Sequence, residues 1–334
     1  MKITDYKTSK SRYCNRMKYR RCGQSGIRLP EISIGLWHNF GGDDDFENGK
    51  KILHHAFDRG ITHFDLANNY GPPYGSAEEN FGRIMNSSFK PYRNELFIST
   101  KAGYNMWDGP YGEWGSRKYL LSSLDDSLKR MKLDYVDIFY SHRFDPQTPL
   151  EETMQALVDA VRQGKALYAG ISNYPAEAAG KAYEFLSERD VPCLLHQGKY
   201  NLLHREPETE GILKQANEYG TGYIAFSPLA QGLLTGKYLD GKIPEGSRML
   251  QNFFLKKDTL TEEMLSKLKK LNTIAEARGQ SLPAMALAWV LRNDVVSSVI
   301  VGVSSVEQLN QNIEATQNTS FSKEEVELIG QVIR

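Results

Sequence analysis

Four side chains with complementary chemistry close three consecutive apolar runs. One run ends Phe64-Asp65-Leu66-Ala67-Asn68-Asn69-Tyr70-Gly71, the next Ser99-Thr100-Lys101, and the third Tyr140-Ser141-His142-Arg143. A free phenol titrates near pH ~10, so Tyr70 needs help to exchange protons near neutrality, and an ammonium such as Lys101 gives it by stabilising the phenolate. Asp65 is suited to hold that ammonium charged and aimed. His142, with an ordinary pKa near the working range, is suited to orient a carbonyl oxygen or to share the proton. An acid beside a developing alkoxide is what carbonyl reduction requires, and the hydride must come from a cofactor because no side chain can donate one. Each residue also has a bland reading: Asp65 and Lys101 as a structural ion pair, His142 as a hydrogen-bonded core residue, Tyr70 as an exposed loop aromatic. Their coincidence at three successive strand ends weighs towards function.

The elements that must position them are short and repeated. Eight β-rich apolar runs, at residues 32–37, 61–67, 96–102, 136–142, 166–172, 193–200, 223–227 and 296–303, alternate with helical patterns. Over 116–131, Leu120, Leu121, Leu124, Leu128 and Met131 form an apolar stripe, and Asp125, Asp126, Lys129 and Arg130 cover the rest. Residues 150–162 repeat the arrangement, with Gly164 where a helix commonly stops. No linker interrupts the series. The pattern predicts a single (β/α)8 TIM barrel, whose site lies at the C-terminal ends of the strands. Residues 1–16 read as a flexible arm and 17–334 as the barrel domain. Within the latter, Tyr19, Cys22, Gly23, Ser25, Gly26 and Leu29 suggest a hairpin suited to the barrel floor. Residues 230–260 are too long for a simple connection and read as a functional loop or an insertion; 281–292 read as an extra helix, and 321–333 as a closing one.

Composition narrows the function. In 334 residues, 41 Lys and Arg balance 41 Asp and Glu, so no basic field draws the protein to nucleic acid, and a small-molecule partner is expected. Cys14, Cys22 and Cys193 are odd in number and lack metal spacing, which predicts reduced thiols and no metal. No apolar run reaches the ~18 residues of a membrane span, and the basic stretch 2–21 reads as a solvated terminus, so the cytoplasm is expected.

The strand-end residues, together with Ile171-Ser172-Asn173, Gln197, Tyr200-Asn201-Leu202, Ala225-Phe226-Ser227-Pro228-Leu229 and Gly302-Val303-Ser304, resemble the aldo-keto reductase superfamily over nearly the whole chain from about residue 17. The runs Gly35-Leu36-Trp37-His38-Asn39-Phe40 and Gln231-Gly232-Leu233-Leu234-Thr235-Gly236-Lys237-Tyr238 are most similar to its bacterial glyceraldehyde 3-phosphate reductases, with potassium-channel β subunits as relatives. The resemblance implies Tyr70 as general acid, Lys101 and Asp65 as its tuning pair, and His142 as the residue orienting substrate. It also implies NADPH as cofactor. Ser172, Asn173 and Gln197 would bond the nicotinamide carboxamide, Phe226 would stack on the ring, and Trp37 would sit over the reacting centre. Ser227, Leu229 and Lys237, in one loop with Gln231 and Gly232, would line the pyrophosphate, while Gly302, Ser304, Gln308 and Asn312 surround the adenosine end. Phosphate binding after strands seven and eight also suits barrel physics. Val303 stands where relatives often place a cation, which leaves Arg248 as the expected contact to the 2′-phosphate.

Arg117, Lys118 and Arg205 lie in predicted strand-end loops and are candidates for a substrate phosphate, against a plainer reading as solvated charges. A cofactor-holding sensor with slow turnover is the second reading, opposed by His142, since the channel subunits carry Asn at the matching place. A Schiff-base aldolase or isomerase on Lys101 is the third, opposed by Asp65, which favours the charged amine. A homo-oligomer, a tetramer or a multiple of one, is expected from the relatives.

Overall fold

Alternating apolar runs become strands because β-branched and aromatic side chains fit a pleated, buried surface. The computed structural model describes residues 6–14, 17–245, 247–251 and 255–333. Strand β1 (Tyr19–Arg21) pairs antiparallel with β2 (Arg28–Pro30). Then follow β3 (Ile32–Gly35), β4 (His63–Asp65), β5 (Phe97–Ala102), β6 (Val136–Ser141), β7 (Ala166–Ser172), β8 (Cys193–Lys199), β9 (Gly222–Phe226) and β10 (Val296–Val301). Among the described residues these last eight, all parallel, close into a barrel in the order β10-β3-β4-β5-β6-β7-β8-β9. The predicted (β/α)8 barrel and its hairpin are therefore observed.

The helices are α1 (Phe46–Asp58), α2 (Ser76–Ile84), α3 (Arg117–Met131), α4 (Leu150–Arg162), α5 (Ala176–Ser187), α6 (Glu206–Thr209), α7 (Ile212–Glu218), α8 (Arg248–Gln251), α9 (Glu262–Ala277), α10 (Leu282–Leu291), α11 (Val306–Glu314) and α12 (Lys323–Ile333). Side-chain caps begin several of them. Asp45 accepts from the amides of Glu47 and Asn48, and Ser116, Thr261, Ser281 and Ser305 each cap the helix that follows. The stripe predicted on residues 116–131 is the buried face of α3, including Leu120, Leu124, Leu128 and Met131.

One expectation is corrected. The stretch 281–292, read as an extra helix, is the return helix of the seventh unit: α10 leads into β10 and packs on it. The addition is α9, which packs against α10 and α12. Sandwiched between barrel and α9, α10 is apolar on every side, as helices covered all round are.

Core material lies in two places. Between strands and helices runs a continuous apolar layer. Inside the barrel, Phe97, Ile138, Tyr140, Leu195, Ile224 and Ile300 cluster with Cys22 and Leu29 of the hairpin, so β1 and β2 plug the floor. The stretch predicted as an arm lies partly outside the described residues, and its residues 6–14 rest on α1. The Tyr6 ring stacks on His54 at 3.9 Å, and Asp58 Oδ1 accepts from Tyr6 Oη at 3.1 Å, Thr8 Oγ1 at 2.9 Å and Ser9 N at 2.7 Å. Among the described residues no helix is long and apolar enough to cross a membrane.

Candidate active site

The two-residue period of a strand decides which side chains face the barrel interior. It sets His63 and Asp65 of β4 inward, Phe97, Ser99 and Lys101 of β5, Ile138 and Tyr140 of β6 with His142 just beyond, Leu195 and Gln197 of β8, and Ile224 and Phe226 of β9. Lower members make the apolar plug. The uppermost are polar or aromatic and gather at the C-terminal mouth.

There Lys101 is completely buried and its ammonium has three acceptors: Asp65 Oδ2 at 2.7 Å, Leu66 O at 2.6 Å and Tyr70 Oη at 3.3 Å. An ammonium has three hydrogens, so all are committed. Asp65 Oδ1 accepts from Ser99 Oγ at 2.7 Å and from Gln197 Nε2 at 3.1 Å. Tyr70 sits in a tightly bonded turn, its carbonyl accepting from Gly75 N at 3.1 Å and Ala77 N at 3.3 Å at the start of α2. Because its Oη accepts from Lys101, its own hydrogen is the one it has to give. His142 faces it, the two ring centroids 6.0 Å apart and edge-on, and Trp37 lies 6.3 Å from Tyr70 on another side.

Electrostatics separate the roles. Burial, then the charge of Asp65, then Tyr104 push the Tyr70 phenol well above its usual 10, so the resting group is a protonated acid. The relief expected from Lys101 is outweighed in this state, and its benefit falls on the phenolate that forms as the proton leaves. Burial first, then Lys101 and Arg143, hold His142 well below 6.5, so its imidazole is neutral at working pH. It is therefore fitted to orient an oxygen rather than to supply charge. Its Nδ1 is buried without a hydrogen-bond partner.

Around this centre the remaining predicted residues form an arc. Ser172 ends β7, and Asn173, at φ +56°, donates from Nδ2 to His142 O and to Ser172 Oγ, both at 3.1 Å. Gln197 is buried in β8, and Phe226, half-buried, ends β9. The next segment turns sharply, with positive φ at Ser227, Ala230, Gln231 and Gly232. Tight turns of this kind make concavities lined by amides that suit anions. Gln231 Nε2 donates to Ser227 Oγ at 3.0 Å; Leu229 is half-buried and Lys237 exposed. After β10, exposed Gly302 and Ser304 precede α11, and Gln308 Oε1 accepts from Ser304 N at 3.0 Å and Oγ at 3.2 Å. Asn312 is buried in α11. Arg248 starts α8, but its side chain lies outside the described residues.

The three substrate-phosphate candidates are engaged elsewhere. Arg117 pairs with Asp159, Arg205 with Glu208 at 2.6 Å, and Lys118 lies 5.4 Å from the Tyr111 ring. Sequence reasoning overlooked the wall that does stand beside His142. Tyr104 meets the imidazole edge-on at 4.7 Å, and Arg143, 3.5 Å from the Trp114 ring, bonds Glu113 at 2.8 Å and Gly103 O at 2.8 Å. Adjacency of Arg143 to His142 was the available signal. Nothing in the spacing shows that Trp114 folds back onto it.

The sequence matches known proteins along most of its length. A family model described as the aldo/keto reductase family matches residues 31–334. The chain is 58% identical over 321 residues to an L-glyceraldehyde 3-phosphate reductase of Escherichia coli O157:H7, covering 95% of this chain and 92% of that protein. It is 57% identical to the protein of the same name from strain K12, with the same coverage. A probable voltage-gated potassium channel subunit beta of Oryza sativa subsp. japonica is 37% identical over 302 residues, 90% of this chain and 91% of that one. A match of that extent, on a closed barrel whose mouth holds these side chains, assigns the chain as an oxidoreductase belonging to the aldo/keto reductase family.

Proposed function

We propose that the protein reduces small aldehydes to alcohols with NADPH, glyceraldehyde 3-phosphate among them, and that Tyr70 supplies the proton. The observation that carries this reading is the Tyr70 phenol: protonated, half-buried, accepting from Lys101 and facing a neutral His142. Both Escherichia coli relatives are named for the phosphorylated substrate.

The residues present fit a dinucleotide. Ser172, Asn173 and Gln197 would hold a carboxamide, Phe226 would offer a flat face, the positively bent segment from Ser227 to Gly232 with Lys237 would take phosphates, and Gly302, Ser304, Gln308, Asn312 and Arg248 would enclose the adenosine end. When bound, the nicotinamide supplies the hydride. The chain does the rest. His142 aligns the carbonyl oxygen, Tyr70 gives its proton to that oxygen, and Lys101 steadies the phenolate left behind, with Asp65 keeping the ammonium in place. Trp37 and Tyr104 narrow the mouth around the reacting carbon. Arg143 is the cation we assign to a substrate phosphate, since it adjoins His142 at the mouth; its bond to Glu113 would hold the guanidinium in place there. We further propose cytoplasmic action as a homo-oligomer, a tetramer or a multiple of one, which sedimentation would check.

A Schiff base on Lys101 is disfavoured, because three acceptors around Nζ take the three hydrogens of an ammonium, which has no lone pair to offer. The decisive assay compares glyceraldehyde with its 3-phosphate, using NADPH and NADH. In Tyr70→Phe, turnover should drop by roughly 100- to 10,000-fold with cofactor affinity nearly intact. Retained turnover in that variant would place the acid elsewhere, and equal kcat/KM for the two substrates would remove the phosphate from the reading.

A further inference from the structure

Below the mouth, inside the barrel, lies a file of polar side chains that the reaction as described does not use. Ser298 Oγ and Ser33 Oγ are 2.6 Å apart, Ser33 Oγ is 2.8 Å from His63 Nδ1, His63 Nε2 is 3.1 Å from Ser99 Oγ, and Ser99 Oγ is 2.7 Å from Asp65 Oδ1. All five residues are buried. In an otherwise apolar interior such a file needs every hydrogen assigned, since each unpaired polar group there is costly.

The assignment follows from the end that is fixed. Asp65, ion-paired to Lys101, only accepts, so the single hydrogen of Ser99 goes to Asp65 Oδ1. Ser99 must then accept from His63, which puts a hydrogen on Nε2. Burial, opposed by Asp65 and aided by Lys101, pushes His63 down to about 4, so its ring is neutral and carries only that one hydrogen. Nδ1 therefore accepts from Ser33, and Ser33 from Ser298. The far end tolerates this, because Glu31 O, 3.3 Å from Ser298 Oγ, already accepts from Val299 N at 2.9 Å.

We propose that His63 is a positioning residue, held as the Nε2–H tautomer by Ser33 and Ser298, and that through Ser99 it anchors the carboxylate that aims Lys101 at Tyr70. The donors run one way, Ser298 to Ser33 to His63 to Ser99 to Asp65. In the other tautomer the Nε2 lone pair would draw the Ser99 hydrogen away, leaving Gln197 as the donor to Asp65 Oδ1. Phe64 O, 3.4 Å from Ser99 Oγ, is a second competing acceptor. A charge-assisted bond to a carboxylate is the stronger one and selects the first arrangement. The inference rests on Tyr70 as the acid, since the anchor acts through Lys101.

Two measurements test it. In the full chain with ring-15N histidine, His63, identified by its loss in His63→Gln or by its shift in Ser99→Ala, should show a pyrrole-type Nε2 and a pyridine-type Nδ1 near neutral pH. The reverse pattern overturns the proposal. Ser99→Ala should lower kcat roughly tenfold while KM for cofactor and carbonyl changes less than about twofold, and Ser99→Thr should restore most of it. Unchanged kcat in folded Ser99→Ala also overturns it. Tyr70→Phe measured alongside separates the failures: activity kept there sinks the acid assignment, whereas activity lost there and kept in Ser99→Ala sinks the anchor alone.

Discussion

At the scale of residues, the site is a matter of counting hydrogens. Lys101 has given all of its own away, Asp65 has none, and Tyr70 holds the one that faces outward. Arg248 belongs to this scale too. If Arg248 meets the 2′-phosphate as proposed, Arg248→Ala should raise KM for NADPH by roughly 10- to 100-fold and leave NADH nearly untouched, the worth of one charge-assisted contact. Steady-state kinetics with both cofactors check this, and equal effects refute it. Asp65, Lys101 and His142 were legible because each stands at the polar end of an apolar run, where strand parity leaves little choice of direction, and Tyr70 because it lies in the short turn that follows the same run as Asp65. Arg117, Arg205, Tyr104 and Arg143 were not, because a loop side chain's partner depends on how neighbouring loops fold. Asp159 on α4 and Trp114 in the loop after β5 are far from obvious partners in a linear text.

At the scale of elements, period-two and period-3.6 patterns located every barrel strand to within a few residues. They left the segment between β9 and β10 unresolved. Leu268, Leu271, Ile274 and Ala275 of α9 have helical spacing, yet spacing alone cannot say which of two consecutive helices turns towards the strands. The uniform apolarity of α10 was the clue, since only a helix covered on both sides can be apolar all round. The floor hairpin carries its own prediction. Gly23 stands at φ +51°, and a Cβ there would lie 1.9 Å from Gly220 O. Gly23→Ala should cost more than about 2 kcal/mol of stability, because both the backbone conformation and the close approach are lost. A denaturant titration reads this, and an unchanged midpoint would show that the hairpin does not seat as described.

For the whole molecule, the buried imidazoles link stability to pH. His63 is pushed down to about 4 and His196 to about 3, both by burial, and His142 lies well below 6.5. In the unfolded chain each regains an ordinary value near 6.5 and binds a proton sooner than in the folded one. The unfolded state is therefore favoured progressively as pH falls from about 6.5 to about 4, and above that window the three groups contribute no slope. Calorimetry across this range should show the thermal midpoint falling, and His196→Phe should flatten the fall; a midpoint level down to pH ~4 would contradict the burial of these rings.

The plugged floor also governs traffic. With Cys22 and Leu29 stoppering one end, the long dinucleotide and the small carbonyl compound of the proposed reaction would share the open mouth at the other. Two guests using one door cannot come and go independently. Whichever settles deeper has to enter first and depart last, so the queue at the threshold, rather than the chemistry behind it, is where the pace of the enzyme can be set.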